Sequence, residues 1–512
     1  MALAMGQFKS NVLALTPAMA IAGLILVPVS VGAEEIAATS SISPETNRVE
    51  VKPSPGKRPL ETVSTSASDL MVKASAPAGA TPPEVTPAQA PASSQTPQAK
   101  EAPSAQSQSL GQRSRLTGDW GGVRSNLEAA GVTFDLEFTQ FYQGLVSGTG
   151  REFFFDKGSG VQVVDDNGGY GGRLDGFIGL DFGKLGLWKG GGLQTHLEYR
   201  FGALAGDLGN TFFPTNSAFE FPSESPDTLV ATSLYLTQQL GDRGSLRLGK
   251  INALDLLKND LFFGGWGIHR FQNAVFAAPP SGLVPPVFYG AIANVRLDPV
   301  ALSFWVYDPD DRTQDYWPTD LFAHGVTFSL TTSYATKIAG RPTTFSLTGI
   351  YTTKTGTDFS SVSEAYRSRL QPSTKTGSYS IQFQVSHLLH QNPSNPRQGW
   401  GLFFKGAISD GNPNYVQNSI IAGIGGTGLF PGRELDSFGI GYYYYNLSDA
   451  LQDSLNDIFR RVSFGDEQGI EVYYSIAVTP WFYLTADFQY IQPPRSTFED
   501  AFIAAVRANI RF

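Results

Sequence analysis

Cysteine is absent from the 512 residues of this chain. That absence excludes a disulfide framework, a thiolate zinc site and a cysteine nucleophile together. Charge is also scarce. Asp, Glu, Lys and Arg make up 16% of the chain, against about a quarter in soluble globular proteins. This is too little for the hydrated surface of the roughly three soluble domains that the length alone would suggest. The formal charge of −9 comes with no basic stripe, so no nucleic-acid partner is expected. After residues 1–33 there is no run of 18 apolar residues, which removes a later transmembrane helix from consideration. Aromatic residues are missing from a long N-terminal stretch: after Phe8 the next is Trp120.

The N-terminal part divides in two. Residues 1–33 have the build of an export signal, with Lys9 before the apolar Val12–Val31 and the small residues Val31-Gly32-Ala33 ahead of Glu34-Glu35. Pro17 and Pro28 and the small-residue end favour cleavage after Ala33 over a retained membrane anchor. Residues 34–115 contain no aromatic, and Ala74–Ser109 is almost entirely Ala, Pro, Ser, Thr and Gln. Such a segment cannot bury enough apolar surface to offset its ordering entropy, so a disordered, extended periplasmic leader is expected. A peptidoglycan or partner contact through this leader is one reading, and a bare spacer is the other.

What is present from residue 116 onward is alternation. In Thr133–Thr139, Arg173–Phe182 and Leu193–Phe201, apolar and polar residues take turns, the period of a β-strand with two unlike faces. One face is apolar, aromatic and nearly uncharged, as lipid requires. The other is polar, as a water-filled lumen requires. An open sheet edge cannot exist in a bilayer, so the strands must close on one another. Leu229–Leu240, Leu246–Lys250, Val287–Leu297, Val300–Tyr307, His324–Tyr334, Thr343–Thr352 and Ser378–Leu388 continue the pattern. Trp400–Ile408, Ser419–Gly425, Phe438–Asn446, Ile470–Thr479, Phe482–Tyr490 and Phe502–Phe512 complete it. The expectation is an all-β, closed antiparallel transmembrane barrel over 116–512. It has about sixteen strands, with eighteen as the alternative, and a short helix Val123–Ala130 ended by Gly131 before the first strand. The last strand places Phe502, Ala504, Val506, Ala508, Ile510 and Phe512 on one face. An amphipathic strand ending in Phe is the signal read by the bacterial outer-membrane assembly machinery, an expected partner alongside outer-membrane lipid.

Certain segments resemble a known family. Leu116-Thr117-Gly118-Asp119-Trp120-Gly121-Gly122-Val123-Arg124, with Leu127 and Gly131-Val132, is similar to the opening signature of the carbohydrate-selective outer-membrane porins, the OprB family. Gly249-Lys250-Ile251-Asn252 through Phe276–Gly282 resembles the family's central segment, and Thr479-Pro480-Trp481 through Gln489–Pro494 its ending. The resemblance spans about 116–512 and implies passive, somewhat sugar-selective diffusion across the outer membrane of a Gram-negative cell, with sugars as the transported solutes. The Ala/Pro leader is longer than that family requires, and no surface-layer-type domain is visible.

By alternation the lumen set comprises Asp135, Glu137, Arg173, Asp175, Asp181, Glu198, Arg200, Arg247, Arg296, Lys405, Glu471, Asp487, Arg507 and Arg511. The balance of signs suits neutral, hydroxyl-rich solutes, because selectivity in a pore follows from diameter, lining donors and acceptors, and local charge. The expected constriction is Leu254–Asn273, which follows a strand and carries Lys258, Asp260, Trp266, His269 and Arg270 with Gly264-Gly265 and Gly267. Part of it is expected to fold inward, with Lys258, Asp260 and Arg270 bonding sugar hydroxyls. An ordinary extracellular loop is the competing reading. Trp188 and Trp481 sit beside short turns and belong to an interfacial aromatic girdle.

Other signals lead nowhere specific. His387-x-x-His390 lacks an acidic partner. Asp308, Asp310, Asp311 and Asp315 lack the glycine and terminal Glu of an EF-hand. Gly423-x-Gly425-Gly426-x-Gly428 has no βαβ context, and there is no Gly-x-Ser-x-Gly elbow. No cofactor, metal or catalytic residue is expected. A cell-wall-linked structural or adhesion barrel is the alternative function, and an outer-membrane enzyme a more distant one. Self-association is left open.

Overall fold

The computed structural model describes residues 109–148, 168–202, 208–220, 227–265, 267–393, 395–460 and 463–512. The expected signal, nearly all of the leader and Trp266 therefore lie outside the described residues. Among the described residues sixteen strands form one closed barrel, each hydrogen-bonded antiparallel to its sequence neighbours, with the first paired to the last. They are β1 (Val132–Ser147), β2 (Gly168–Asp181), β3 (Gly191–Gly202), β4 (Leu229–Leu240), β5 (Gly244–Asn252), β6 (Val287–Leu297), β7 (Val300–Tyr307) and β8 (Thr327–Ile338). The second half comprises β9 (Arg341–Thr357), β10 (Thr374–Asn392), β11 (Asn395–Ser409), β12 (Val416–Thr427), β13 (Ser437–Leu447), β14 (Glu467–Thr479), β15 (Phe482–Gln492) and β16 (Ala501–Arg511). Every alternating segment found in the sequence falls on one of these strands, most of them within its ends, while Arg173–Phe182, His324–Tyr334 and Phe502–Phe512 run one to three residues past an end.

The outward face is apolar, as the period of two requires. Leu236, Leu248, Phe304, Leu330, Leu347 and Phe383 are 42–54% exposed, a surface suited to hydrocarbon and not to water. No helix among the described residues is long and apolar enough to cross a membrane; the strands cross it.

The two rims differ. One has two-residue turns such as Asp298-Pro299, Ala339-Gly340 and Pro480-Trp481, where positive φ at Ala339 and Gly340 reverses the chain. The other carries the long connections, including 203–228, 253–286, 308–326 and 448–466. Short periplasmic and long extracellular connections are the usual asymmetry of outer-membrane barrels.

The N-terminal signature closes the seam at the short-turn rim. Helix Val123–Ala130 ends at Gly131, whose φ of +98° suits glycine. Asp119 Oδ1 accepts from Ser125 N at 2.9 Å and from Ser125 Oγ at 2.8 Å, which fixes the entry to that helix. Arg124 lies over the Trp120 ring at 4.5 Å and donates to the Phe512 carbonyl at 3.1 Å. Arg115 pairs with Asp135 on β1, and Leu116 N donates to the Arg511 carbonyl at 2.8 Å. The Gly-Asp-Trp-Gly-Gly stretch thus ties the chain's entry to its last strand.

Candidate functional site

The inner face of the barrel carries two chemically distinct sectors. The charged sector runs along β14, β15, β16, β1, β2 and β3. The neutral sector covers the middle of β8, β9 and β10.

On the charged sector, most of the ionic side chains lie beneath two connections that fold into the barrel. The connection 253–286, between β5 and β6, crosses to the far wall. Arg507 of β16 donates to the carbonyls of Gly267 and Arg270. Glu471 of β14 accepts from the backbone N–H groups of Gln272 and Asn273. Lys405 of β11 donates to the Phe276 carbonyl at 3.2 Å, and Asn414 to the Ser281 carbonyl at 3.1 Å. His196 of β3 meets Asp255, with Nδ1 3.0 Å from Oδ1. A segment so anchored to β1, β3, β11, β14 and β16 cannot be an external loop.

The second inward connection, residues 208–219, has no counterpart among the sequence expectations. Arg173 and Arg200 donate to the carbonyls of Ala218 and Phe219. Gln143 Nε2 donates to Thr215 Oγ1 at 2.6 Å, and Glu467 accepts from Phe212 N at 2.8 Å. The two connections also bond each other, Ser217 N to the Gln272 carbonyl at 2.7 Å and Ala274 N to the Pro214 carbonyl at 3.0 Å. The available signal was a break in alternation within Phe212-Phe213-Pro214, flanked by small polar residues that suit close backbone packing.

Aromatic packing completes the plug. Phe213, Phe262, Phe263, Phe271 and Phe276 from the connections pack with Phe403, Tyr443, Tyr445 and Tyr473 from the wall. Phe271 and Phe276 stack with centroids 4.3 Å apart. Gly439 and Gly441 on the inner face of β13 leave the space these rings occupy, since a Cβ at either would collide with them. This core lies inside the barrel, where the lumen of an open porin would hold water.

The consequence for the expected lumen set is a correction. Glu137, Arg173, Asp175, Glu198 and Arg200 do face inward, but they are 0–8% exposed. They hold the plug and one another instead of lining water. Arg173 joins Asp175 and lies 2.7 Å from Glu198, while His196 Nε2 lies 2.9 Å from Asp175. Alternation identifies a face; it does not report what covers that face. Asp175, His196 and Glu198 bring ligand-type atoms within 4.8 Å of one another, but Arg173 already supplies the counter-charge there. Lys405, Glu471, Asp487 and Arg507 are likewise buried. Asp135, Arg247 and Arg296 stay half-exposed: Asp135 pairs with Arg115, and Arg296 with Asp298 at 3.6 Å.

The expected constriction residues divide in role. The Lys258 ammonium lies 3.2 Å from the Phe177 ring centre and 3.8 Å from Glu137, with its side chain 29% exposed. Arg270 is half-buried, and its Nε has no hydrogen-bond partner. Asp260 instead shapes its own turn, Oδ1 accepting from the N–H groups of Phe262 and Phe263 at 2.8 Å each. His269 lies between Glu137, at 3.1 Å from Nε2, and Arg511, whose Nη2 is 3.4 Å from Nδ1. Arg511 can only donate, so Nδ1 accepts and the ring is neutral with its proton on Nε2. Burial pushes the imidazole down to about 4, and Glu137 only partly opposes that shift.

The signals set aside in the sequence have local roles. Asp308, Asp310 and Asp315 converge on Arg312, at 2.9, 3.7 and 2.9 Å. Asp311 accepts from Thr313. His387 bonds Thr343, and His390 stacks on Trp400.

The sequence model described as "Carbohydrate-selective porin, OprB family" matches residues 166–512. Among solved structures, the high-pH form of Pseudomonas putida OprB is similar at a TM-score of 0.67 and 17% identity, covering 79% of this chain and 100% of that chain. The low-pH form of the same protein gives a TM-score of 0.48 at 15% identity, covering 78% and 99%. A triple mutant of the Rhodopseudomonas blastica porin gives 0.37 at 10% identity, covering 74% and 100%. No curated protein sequence matches the chain.

Proposed function

This chain belongs to the carbohydrate-selective porins of the OprB family, and on that premise we propose where its sugar path narrows and which residues shape it. As a member it resides in the outer membrane and passes sugars by passive diffusion. The inward connection 253–286 forms the constriction. Lys258 and Arg270 offer donors to the hydroxyls of a passing mono- or small oligosaccharide, and Asp260 holds the turn between them. The observation that carries this reading is the set of ties from that connection to the opposite wall, above all Arg507 to the carbonyls of Gly267 and Arg270.

Tight binding would defeat a channel, so the contacts must be few and exchangeable. A half-buried guanidinium and a partly screened ammonium meet that need. The ionic groups with greater coordinating power are already committed to the plug. Single-channel recording of Arg270→Ala tests the assignment. Larger conductance and weaker block by sugar are expected; unchanged conductance together with unchanged block would remove Arg270 from the constriction.

A further inference from the structure

We propose that the inner face of β7–β10 is a second sugar-contacting surface, a neutral hydroxyl wall with Trp305 as its stacking platform. The inference rests on the reading that sugars cross this lumen, and it concerns residues separate from the constriction.

Register places the wall. Ser303 on β7 is opposite Thr331 on β8, which is opposite Thr348 on β9, which in turn is opposite Gln382 on β10. The next row toward the short-turn rim contains Ser333, Ser346 and Gln384. Their sequence neighbours, including Leu330, Leu347 and Phe383, are exposed on the lipid side, so these polar residues point into the barrel. No inward-facing residue of Thr327–Ala335, Thr344–Thr352 or Ser378–Ser386 carries a formal charge. The opposite wall is charged, and most of its charges lie under the plug. Ser303, Thr331, Ser333, Ser346, Thr348, Gln382 and Gln384 are half-buried, whereas Thr327, Ser329, Thr352, Ser378 and Ser380 at the long-connection end are buried, Ser380 beside Ser281 of the inward connection.

The hydroxyls pair across the strands without being used up. Thr331 Oγ1 and Thr348 Oγ1 are 2.9 Å apart, and Ser333 Oγ and Ser346 Oγ 2.8 Å. Each pair shares one of its two protons, so the second proton and several lone pairs remain for solute or water. Within a row, neighbouring positions are separated by the inter-strand spacing of about 4.8 Å, which lets adjacent hydroxyls of one sugar ring reach adjacent strands. A sugar exchanging water for such partners gains little at each step, and that keeps it moving.

Trp305 supplies the other half of sugar recognition, a flat face for C–H groups. Its Nε1 donates to Ser303 Oγ at 2.7 Å, which fixes the ring. The indole packs against Phe288 and Tyr307 with centroids 6.0 and 6.3 Å away and remains half-buried. It faces Ser329 in register, one row above Thr331.

The test uses the full-length barrel in planar bilayers, with glucose and maltose as probes. Thr331→Val with Thr348→Val removes two hydroxyls at nearly constant volume. Sugar block roughly five- to tenfold weaker is expected, with conductance in potassium chloride unchanged. Trp305→Ala is expected to weaken block similarly, and Trp305→Phe to restore most of it. If Trp305→Ala fails to fold, the double valine variant decides alone. Unchanged block in the double valine variant overturns the wall. That result is distinct from failure of the constriction, which appears in Arg270→Ala with the wall intact. Absence of block in the unaltered protein would overturn both.

Discussion

Glu471 on β14 accepts a hydrogen bond from the backbone N–H of Asn273 at 3.0 Å and a second from Gln272, so one carboxylate from the wall pins the middle of the connection that crosses the barrel. Gln272 and Asn273 are both buried. Glu471→Ala would leave both unpaired, at about 1–3 kcal/mol each. The expected outcome is a barrel that still migrates as folded on gels without heating but shows noisier single-channel current. Quiet current indistinguishable from the unaltered protein would mean that the plug does not depend on this tie.

The barrel was legible in the sequence because most strands repeat one simple rule, apolar residues toward lipid and polar residues inward; β11 and β13 break it where Phe403, Tyr443 and Tyr445 face the plug. Val287–Leu297 and Val300–Tyr307 were located to the residue, since Asp298-Pro299 punctuates them on one side and turn residues on the other. For Leu254–Asn273 the mixture of charge and glycine after a strand left an inward fold and an ordinary extracellular loop as competing readings, and the continuation of the inward course to 286 carried no signal of its own. The course of 208–219 was not legible, because its partners are Gln143, Arg173, Arg200 and Glu467, distant in sequence, and because aromatic residues in a connection have no period. The same limit applies to Arg173 and Glu198. Their face was legible, but the backbone carbonyls that cover them belong to another part of the chain.

Arg173 is the most constrained cation of that covered sector, joined to Asp175, to Glu198 and to the Ala218 carbonyl. Its planar fork meets three acceptors at once, a geometry that an ammonium cannot reproduce. Arg173→Ala would leave two buried carboxylates without their main counter-charge, at about 3–5 kcal/mol. Little assembled barrel is expected in outer-membrane fractions. Arg173→Lys is expected to assemble but to unfold at lower temperature, measured as the loss of the compact gel band on heating. Equal thermal resistance in the lysine variant would contradict the bidentate role.

Acid should loosen the plug through His269. The buried ring favours its neutral form, with its ionisation at about 4, below the ordinary value near 6.5. The stabilisation it contributes is therefore complete above pH ~6.5 and is lost as pH falls toward about 4. The charged groups around it are Glu137 and Arg511 in direct contact and Lys258 behind Glu137. Channel noise is expected to rise between pH 6.5 and 4 in the unaltered protein and to rise less in His269→Asn, which keeps a neutral donor and loses the titration. The same rise in both proteins would assign the effect to the carboxylates instead.

A charged sector mostly covered by the plug and a half-buried neutral sector together imply a channel that prefers uncharged, hydroxyl-rich solutes. Swelling of liposomes containing the purified barrel tests this most directly, with glucose compared against gluconate of similar size and against larger neutral sugars. Glucose is expected to enter fastest, larger sugars progressively more slowly, and gluconate well behind glucose. Gluconate entering as fast as glucose, or no swelling from a folded barrel, would contradict it.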